Sequence, residues 1–384
     1  MKLIVLGAGQ MGTAAAYDLL RQEDVTALVL ADGDPASLQS AGDTLQDARL
    51  QTIHLDVTDR PAVEQVMAGA AAVLSAVPYR FNFSLAQAAC AAKANFCDLG
   101  GNNTIVRQEL GLHEPATAAG ITIIPDCGLT PGLGGLLLAR GIRRFQTVDQ
   151  ATLYVGGLPQ QPVPPFNYQL VFSVEGLINE YVEPVTVLRE GQVRTLEPMT
   201  ELETVEFSQP YGTLEAFQTS GGLSTLPETF RGTVQRMDCK TLRYPGYCEK
   251  MRAMLALGLG SHDPVTVGGA EVSPRRVFER LLVQHLPREG ADVVLLRAVV
   301  SGQRDGGLEV ISYEMIDTCD EATGHTAMMR TTAFPAAEVA LMLARGQVEK
   351  KGAVPQERCL DVEAFCAALA GRGITITEQR QQSG

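Results

Sequence analysis

Residues 3–19 read "LIVLGAGQMGTAAAYDL": four apolar residues, then Gly7, Gly9 and Gly12 spaced Gly-x-Gly-x-x-Gly, then a small-residue run through Ala14, Ala15, Ala16 and Leu19. A strand that turns on glycine straight into a helix leaves the first-turn N–H groups free, and these with the helix dipole attract anions. The first glycine makes the tight turn, the second lets the backbone approach a pyrophosphate, and the third permits close helix packing. Gln10 and Met11 lie between the last two glycines and belong to the same phosphate-facing turn. Outward from this turn, as far as Cys127, strand-like apolar runs at 3–6, 27–31, 52–55, 72–76, 96–99 and 121–125 alternate with helical stretches. Asp34 ahead of Pro35, and Asp59 ahead of Arg60 and Pro61, mark two helix starts. Six strands joined by five crossovers form a doubly wound parallel sheet covered on both faces.

Glycine spacing of this kind recurs in unrelated turns, so the context decides. Asp32 ends the second strand about 20 residues beyond Gly12, where a carboxylate accepts both ribose hydroxyls of a dinucleotide. The N-terminal third therefore reads as a Rossmann domain. The run Asp32-Gly33-Asp34 offers no arginine for a 2′-phosphate and sets two carboxylates against one, which selects NAD over NADP. Asp56, ending the third strand, either touches adenine or caps the turn at Val57 and Thr58. Ala76, Val77 and Pro78 follow the fourth strand and suit a loop beneath the dinucleotide, since ligands bind outside the carboxyl ends of such strands. By the same rule Asp98 and Asp126 point toward the nicotinamide end, although each is equally a turn cap beside Gly100 or Gly128.

At 384 residues the chain exceeds a single core. Beyond Pro131 a helix at 132–143 gives way to alternating runs such as 147–155 and 186–188 around polar turns, which reads as a mostly antiparallel sheet in an α+β domain. Helical periodicity returns at 335–344 and 362–370. We expect a Rossmann domain over 1–130, a substrate and dimerisation domain over 131–325, and C-terminal helices over 326–384 that return to the first domain, with disorder at most in the tail 378–384. A formal net charge of −13 argues against nucleic acid and anionic membranes, leaving a small-molecule partner. The opening residues lack a signal-peptide core, no apolar run reaches the ~18 residues of a spanning helix, and eight cysteines without a CxxC pair suit reduced thiols and no zinc site, so the expected compartment is the cytoplasm.

Four segments together resemble the saccharopine dehydrogenase superfamily, and within it the lysine 6-dehydrogenase branch. They are "SAVPYRFNFSLAQAACAAKANFCDLGG" (75–101), "IIPDCGLTPGLGG" (123–135), "EGLINEY" (175–181) through "TLRYPGYCEKM" (241–251), and "HTAMMRTTAFPAAEVALMLARG" (325–346). The resemblance covers nearly the whole chain in order. It implies hydride transfer between NAD and a carbon bearing nitrogen, a second domain that supplies much of the substrate pocket, and a homodimer or higher homo-oligomer. One departure stands out: the position after Gly246, usually His in relatives, is Tyr247 here, which puts any acid–base role there in doubt.

Oxidising an amine by hydride transfer needs a nitrogen lone pair, yet a lysine ammonium has a pKa near ~10.4. A base is required, and the imine formed then needs an oriented water. Asp126, Glu175 and Lys240 are the candidates for this work. A substrate carboxylate wants a planar bidentate cation, for which Arg243, beside Tyr244, comes before Arg330; an internal ion pair is the plainer alternative for each. His325 is a further candidate to orient water, and Cys97 and Cys127 read as packing residues. The leading expectation is oxidative deamination of the ε-amine of L-lysine to a cyclic imine with release of ammonia. A saccharopine dehydrogenase cleaving a secondary amine is the alternative, disfavoured by the short second domain. A non-catalytic NAD sensor is a third reading.

Overall fold

The computed structural model describes residues 1–383 and divides the chain into two compact units. Unit 1 comprises Met1–Arg140, Ser224–Leu226 and Met329–Thr375; unit 2 comprises Gly141–Leu223, Pro227–Met328 and Ile376–Gly384.

Unit 1 is built on a seven-stranded, wholly parallel sheet. Its strands are β1 (Lys2–Leu6), β2 (Ala27–Asp32), β3 (Leu50–His54), β4 (Ala72–Ser75), β5 (Asn95–Asp98) and β6 (Thr122–Ile124), with Gly352–Ala353 added beyond β6. The spatial order β3-β2-β1-β4-β5-β6 reverses between β1 and β4, the switch point at which doubly wound sheets bind ligands. Leu3, Ile4, Val5 and Leu6 are all at most 1% exposed, which is why β1 is apolar without alternation: helices cover both faces. Crossovers run through α1 (Gln10–Leu20), α2 (Pro35–Leu45), α3 (Arg60–Met67), α4 (Asn82–Ala92), and α5 (Asn103–Leu110) with α6 (His113–Ala119). Asp34 accepts the N–H groups of Ala36 and Ser37, and Asp59 that of Ala62, so both expected helix starts are capped as read.

The segment 329–375 completes this unit. Its helix Ala327–Ala344 is longer than the expected 335–344 and carries Pro335 inside it. Arg372 pairs with Asp18 of α1 at 2.7 Å and with Glu338 at 2.8 Å, the three side chains being 11%, 3% and 6% exposed.

Unit 2 is a nine-stranded sheet with the order Glu203–Glu206, Thr213–Gln218, Val234–Arg243, Thr147–Pro159, Asp292–Arg304, Gly307–Thr318, Thr377–Ser383. The hairpin Val185–Arg189 and Gln192–Leu196 joins it through Val234–Arg243, turning on Glu190 and Gly191, both at positive φ. All pairings are antiparallel except that of Thr147–Pro159 with Val234–Arg243. The tail corrects two expectations: Thr377–Ser383 is a strand on Gly307–Thr318 rather than disorder, and it belongs to unit 2 rather than to the returning helices. Gly384 lies outside the described residues.

Replacing Arg372 by Met strands two buried carboxylates without their counter-charge. Urea denaturation should show a loss of about 3–5 kcal/mol, the usual cost of breaking a buried ion pair from one side; a loss below about 1 kcal/mol, the ceiling for exposed pairs, would mean the triad is merely superficial.

Candidate active site

The turn after β1 shows three different reasons for glycine. Gly7 has φ +101° and donates its N–H to Ala31 O at 2.7 Å, and a side chain there would lie 2.8 Å from the Ala76 carbonyl oxygen. At Gly12 a Cβ would collide with the Gly7 carbonyl. At Gly9 nothing lies within 4 Å of an added Cβ, so the middle glycine faces open space, the side from which a pyrophosphate reaches the backbone. Gly9 caps α1 without any side-chain hydrogen bond, which leaves first-turn N–H groups to a ligand. Gln10 and Met11 begin that first turn.

Asp32 stands at the end of β2 with its Oδ2 accepting the Ala8 N–H at 2.6 Å and its Oδ1 accepting the Asp34 N–H at 2.8 Å. The carboxylate is thereby tied to the glycine turn itself. Asp34 caps α2, and its bonds to Ser37 and Ala36 hold it below the usual carboxylate range. Asp56 resolves toward the turn cap: its Oδ1 accepts the Thr58 N–H at 2.9 Å and the Thr58 hydroxyl at 2.7 Å. Ala76, Val77 and Pro78 leave β4 beside Gly7, with Ala76 N–H donating to Leu6 O at 2.7 Å.

At the other side of the switch point, β5 and β6 end in a buried acidic group. Asp126 is 3% exposed, adopts φ +65°, and accepts a short hydrogen bond from the Ser224 hydroxyl on Oδ2. Burial, reinforced by the charge of Asp98, raises its pKa to about 7 against the lowering effect of Ser224 and the Gly101 N–H. Gln356 Nε2 donates to the Asp126 carbonyl at 2.9 Å, so 224, 356 and 126, far apart in sequence, meet within unit 1. Asp98 is wholly buried and takes the Gly100 N–H at 2.6 Å. Sequence reasoning missed Glu109 of α5, which is wholly buried in the same cluster. Cys97 and Cys127 are buried, and burial pushes the Cys127 thiol well up, so it packs rather than attacks. Arg330 donates to Arg372 O at 3.3 Å and its guanidinium lies 5.8 Å from the Phe334 ring centre.

Unit 2 corrects several expectations. Lys240 is 4% exposed, with Nζ paired to Glu203 at 2.9 Å and donating to Glu201 O at 2.8 Å; its charge is spent internally, which removes it as a water-orienting base. Glu175 sits exposed in the first turn of the helix Val174–Val182, and its carboxylate makes no hydrogen bond among the described residues, so nothing holds it for acid–base work. Arg243 is 2% exposed, its guanidinium 4.7 Å from the Tyr168 ring centre and 5.5 Å from that of Tyr247. One hydrogen on each terminal nitrogen goes to Leu242 O and the Tyr181 hydroxyl, while Nε is buried and has no hydrogen-bond partner among the described residues, so donors remain for a ligand carboxylate. Tyr244 donates to Pro159 O at 3.1 Å. Tyr247 is 1% exposed and packs at 5.3 Å from Tyr168, a core residue rather than an acid or base. His325 is buried in a loop that closes on Asp320.

The turn, the carboxylate on β2 and the switch point define a nicotinamide dinucleotide-binding protein. The family is set by two matches: the saccharopine dehydrogenase NADP binding domain over residues 3–124 and the saccharopine dehydrogenase C-terminal domain over residues 128–374. The chain belongs to the saccharopine dehydrogenase family of oxidoreductases. It is 24% identical over 274 residues to saccharopine dehydrogenase [NADP(+), L-glutamate-forming] of Saccharomyces cerevisiae, covering 68% of this chain and 59% of that relative. It is 21% identical over 397 residues to carboxyaminopropylagmatine dehydrogenase of Synechocystis, covering 97% and 96%. The apo structure of the Saccharomyces cerevisiae saccharopine dehydrogenase superposes with a TM-score of 0.80 at 19% identity over 99% of both chains.

Gly12→Ala forces the Gly7 carbonyl or the start of α1 to move. A destabilisation of at least about 1–3 kcal/mol is expected from overpacking, with loss of the saturable fluorescence change on titrating a reduced nicotinamide dinucleotide. An alanine variant that binds as the parent does would refute this reading of the turn.

Proposed function

We propose that this chain uses NAD to oxidise the carbon bearing the ε-amine of L-lysine, giving an aldehyde that closes to a cyclic imine and releasing ammonia. The single observation that carries the amine chemistry is Asp126: a buried carboxyl at the carboxyl edge of a dinucleotide-binding sheet, poised at about 7. As a carboxylate it takes the proton that an ammonium must lose before hydride can leave. Hydride loss leaves an iminium; once Asp126 has passed its first proton to solvent, the carboxylate takes a proton from the water that adds to that carbon and hands it to the nitrogen that leaves as ammonia. A general acid–base group works best when it titrates near the operating pH.

Support for NAD comes from Asp32 and Asp34, which would set two carboxylates against a 2′-phosphate. A second reading is favoured by the names of the relatives: saccharopine and carboxyaminopropylagmatine dehydrogenases point to oxidation of a secondary amine by the same group. A small amino-acid partner and a reducing cytoplasmic setting, in keeping with the net charge of −13 and eight free cysteines, complete the proposal, with a homo-oligomer as the family resemblance implies. Among the described residues no helix is long and apolar enough to cross a membrane.

Four measurements check this. NADH should bind at least about 100-fold more tightly than NADPH, since a dianion beside a carboxylate loses several kcal/mol even at moderate dielectric; equal affinities refute the cofactor assignment. NADH formation with L-lysine and release of ammonia supports the first reading, saccharopine turnover with release of glutamate the second. Asp126→Asn should lower kcat/KM by about 10²–10⁴-fold with NADH binding intact. In the parent, kcat/KM should rise with pH through about 7 as Asp126 loses its proton; a profile flat from pH ~5 to ~9 excludes Asp126 as the base.

A further inference from the structure

The acidic group behind Asp126 is short of hydrogens. Among the described residues no N–H or hydroxyl donor reaches either oxygen of Glu109 or Oδ2 of Asp98, and all three atoms are buried. The Glu109 and Asp98 carboxyls are nevertheless within hydrogen-bonding contact of each other. The influences on Glu109 are its burial, Asp98 and then Asp126; those on Asp98 are its burial, Glu109 and the N–H groups of Asp126 and Gly100. Neither set includes a cation. Other groups facing the cluster are Glu357, which adds negative charge at Asp126 and accepts the Thr225 hydroxyl, and the protonated Cys127 thiol. Two touching carboxyls in a dry interior cannot both ionise, because an isolated buried charge costs far more than the proton that removes it.

The geometry also says which oxygen does what. Oδ1 of Asp98 accepts the Gly100 N–H at 2.6 Å and the Asp126 N–H at 3.3 Å, leaving Oδ2 for Glu109. The grip on its backbone N–H helps hold Asp126 at φ +65°, a conformation non-glycine residues rarely adopt. Gly100 admits the arrangement because a side chain there would collide with Asp126 Oδ1.

We infer that Glu109 is a neutral carboxylic acid whose proton is shared with Asp98, and that Asp98, fixed in this way, is the positioning carboxylate for Asp126. Its functional meaning rests on the acid–base role proposed above for Asp126. Glu109 and Asp98 touch neither substrate nor cofactor in this scheme and act only through Asp126. The charge kept on Asp98 raises the proton affinity of Asp126, whereas a third ionised carboxylate would overload the site.

The test does not need turnover. Infrared spectra of the full chain at pH ~9, where Asp126 has ionised, should still contain the carbonyl stretch of a protonated carboxylic acid, and Glu109→Gln should remove it. No such band, or a band that survives the substitution, overturns the proposal. Should E109Q not fold, ¹³C-carboxyl NMR of the Glu-labelled parent should show one glutamate still neutral where the others have ionised; titration of every glutamate in the ordinary range overturns it.

If E109Q folds, its stability relative to the parent has a defined pH slope. The folded parent keeps a proton that the unfolded chain releases, so rising pH above the ordinary Glu range favours unfolding by about tenfold per unit. E109Q lacks this slope, and a pH-independent difference between the two contradicts the proposal.

Asp98→Asn keeps an oxygen for the two backbone N–H groups but removes the charge. The acid limb of the amine-oxidation profile should then move to lower pH, and an unmoved limb overturns the coupling to Asp126. A parent that oxidises no amine sinks the proposed function, while the infrared band still decides the Glu109–Asp98 pair.

Discussion

The site hangs on one steric fact: the Gly12 Cα sits against the Gly7 carbonyl with no room for a side chain. That contact lets α1 begin directly over the end of β1, so its free N–H groups stand at the carboxyl edge of the sheet rather than beyond it. The same close turn brings the Ala8 N–H to the Asp32 carboxylate and the Ala76 carbonyl beneath Gly7. Three consecutive neighbours in the sheet, β2, β1 and β4, are thus locked to one loop. Parallel pairing does the rest, because every strand of this sheet presents its carboxyl end on the same edge.

Along that edge one residue type does opposite work, and burial decides which. Asp32, Asp34 and Asp56 take N–H groups at turns and helix starts, and hydrogen bonds hold Asp34 and Asp56 low, so these two stay ionised. Asp98 and Asp126, at the ends of β5 and β6, are shut into the interior, and burial drives both upward. Environments that push like groups apart in pKa are how one fold separates charge recognition from proton transfer. The exposed carboxylates of this edge are fixed as anions by N–H groups, whereas burial leaves Asp126 able to gain or lose a proton near neutral pH.

What was legible in the sequence follows from the range of the forces involved. Strand periodicity, the glycine turn, and the Asp-Pro helix starts are local, and residues such as Asp34 and Asp59 cap their helices as read. Glu109 carried no signal, because one glutamate in an amphipathic helix looks the same whether it faces water or Asp98. Lys240 looked available because its partner Glu203 lies on a strand distant in sequence. The polar tail 378–384 reads as disordered because the strand Thr377–Ser383 is held by backbone pairing to Gly307–Thr318, which side-chain periodicity does not report. Gly352–Ala353 is too short to show any period at all.

The basic residues of the second unit are likewise engaged by partners distant in sequence. Arg189, Arg194, Arg231, Arg236, Lys240 and Arg243 are enough, on paper, for a substrate with three carboxylates. In the fold Arg189 and Arg236 share Asp238 and Glu201, Lys240 is held by Glu203, and Arg243 is enclosed by tyrosines. Arg231 donates to Gln192, and Arg194 lies exposed on the hairpin. Asp238 is almost wholly buried, so withdrawing Arg189 to serve a ligand would leave a buried carboxylate with less of its compensation. Cations paired in this way stabilise the sheet, and a ligand has to compete with those pairings for them. A substrate with few carboxylates suits such a lobe better than one with three, and on that ground the lysine reading is preferred to the saccharopine one.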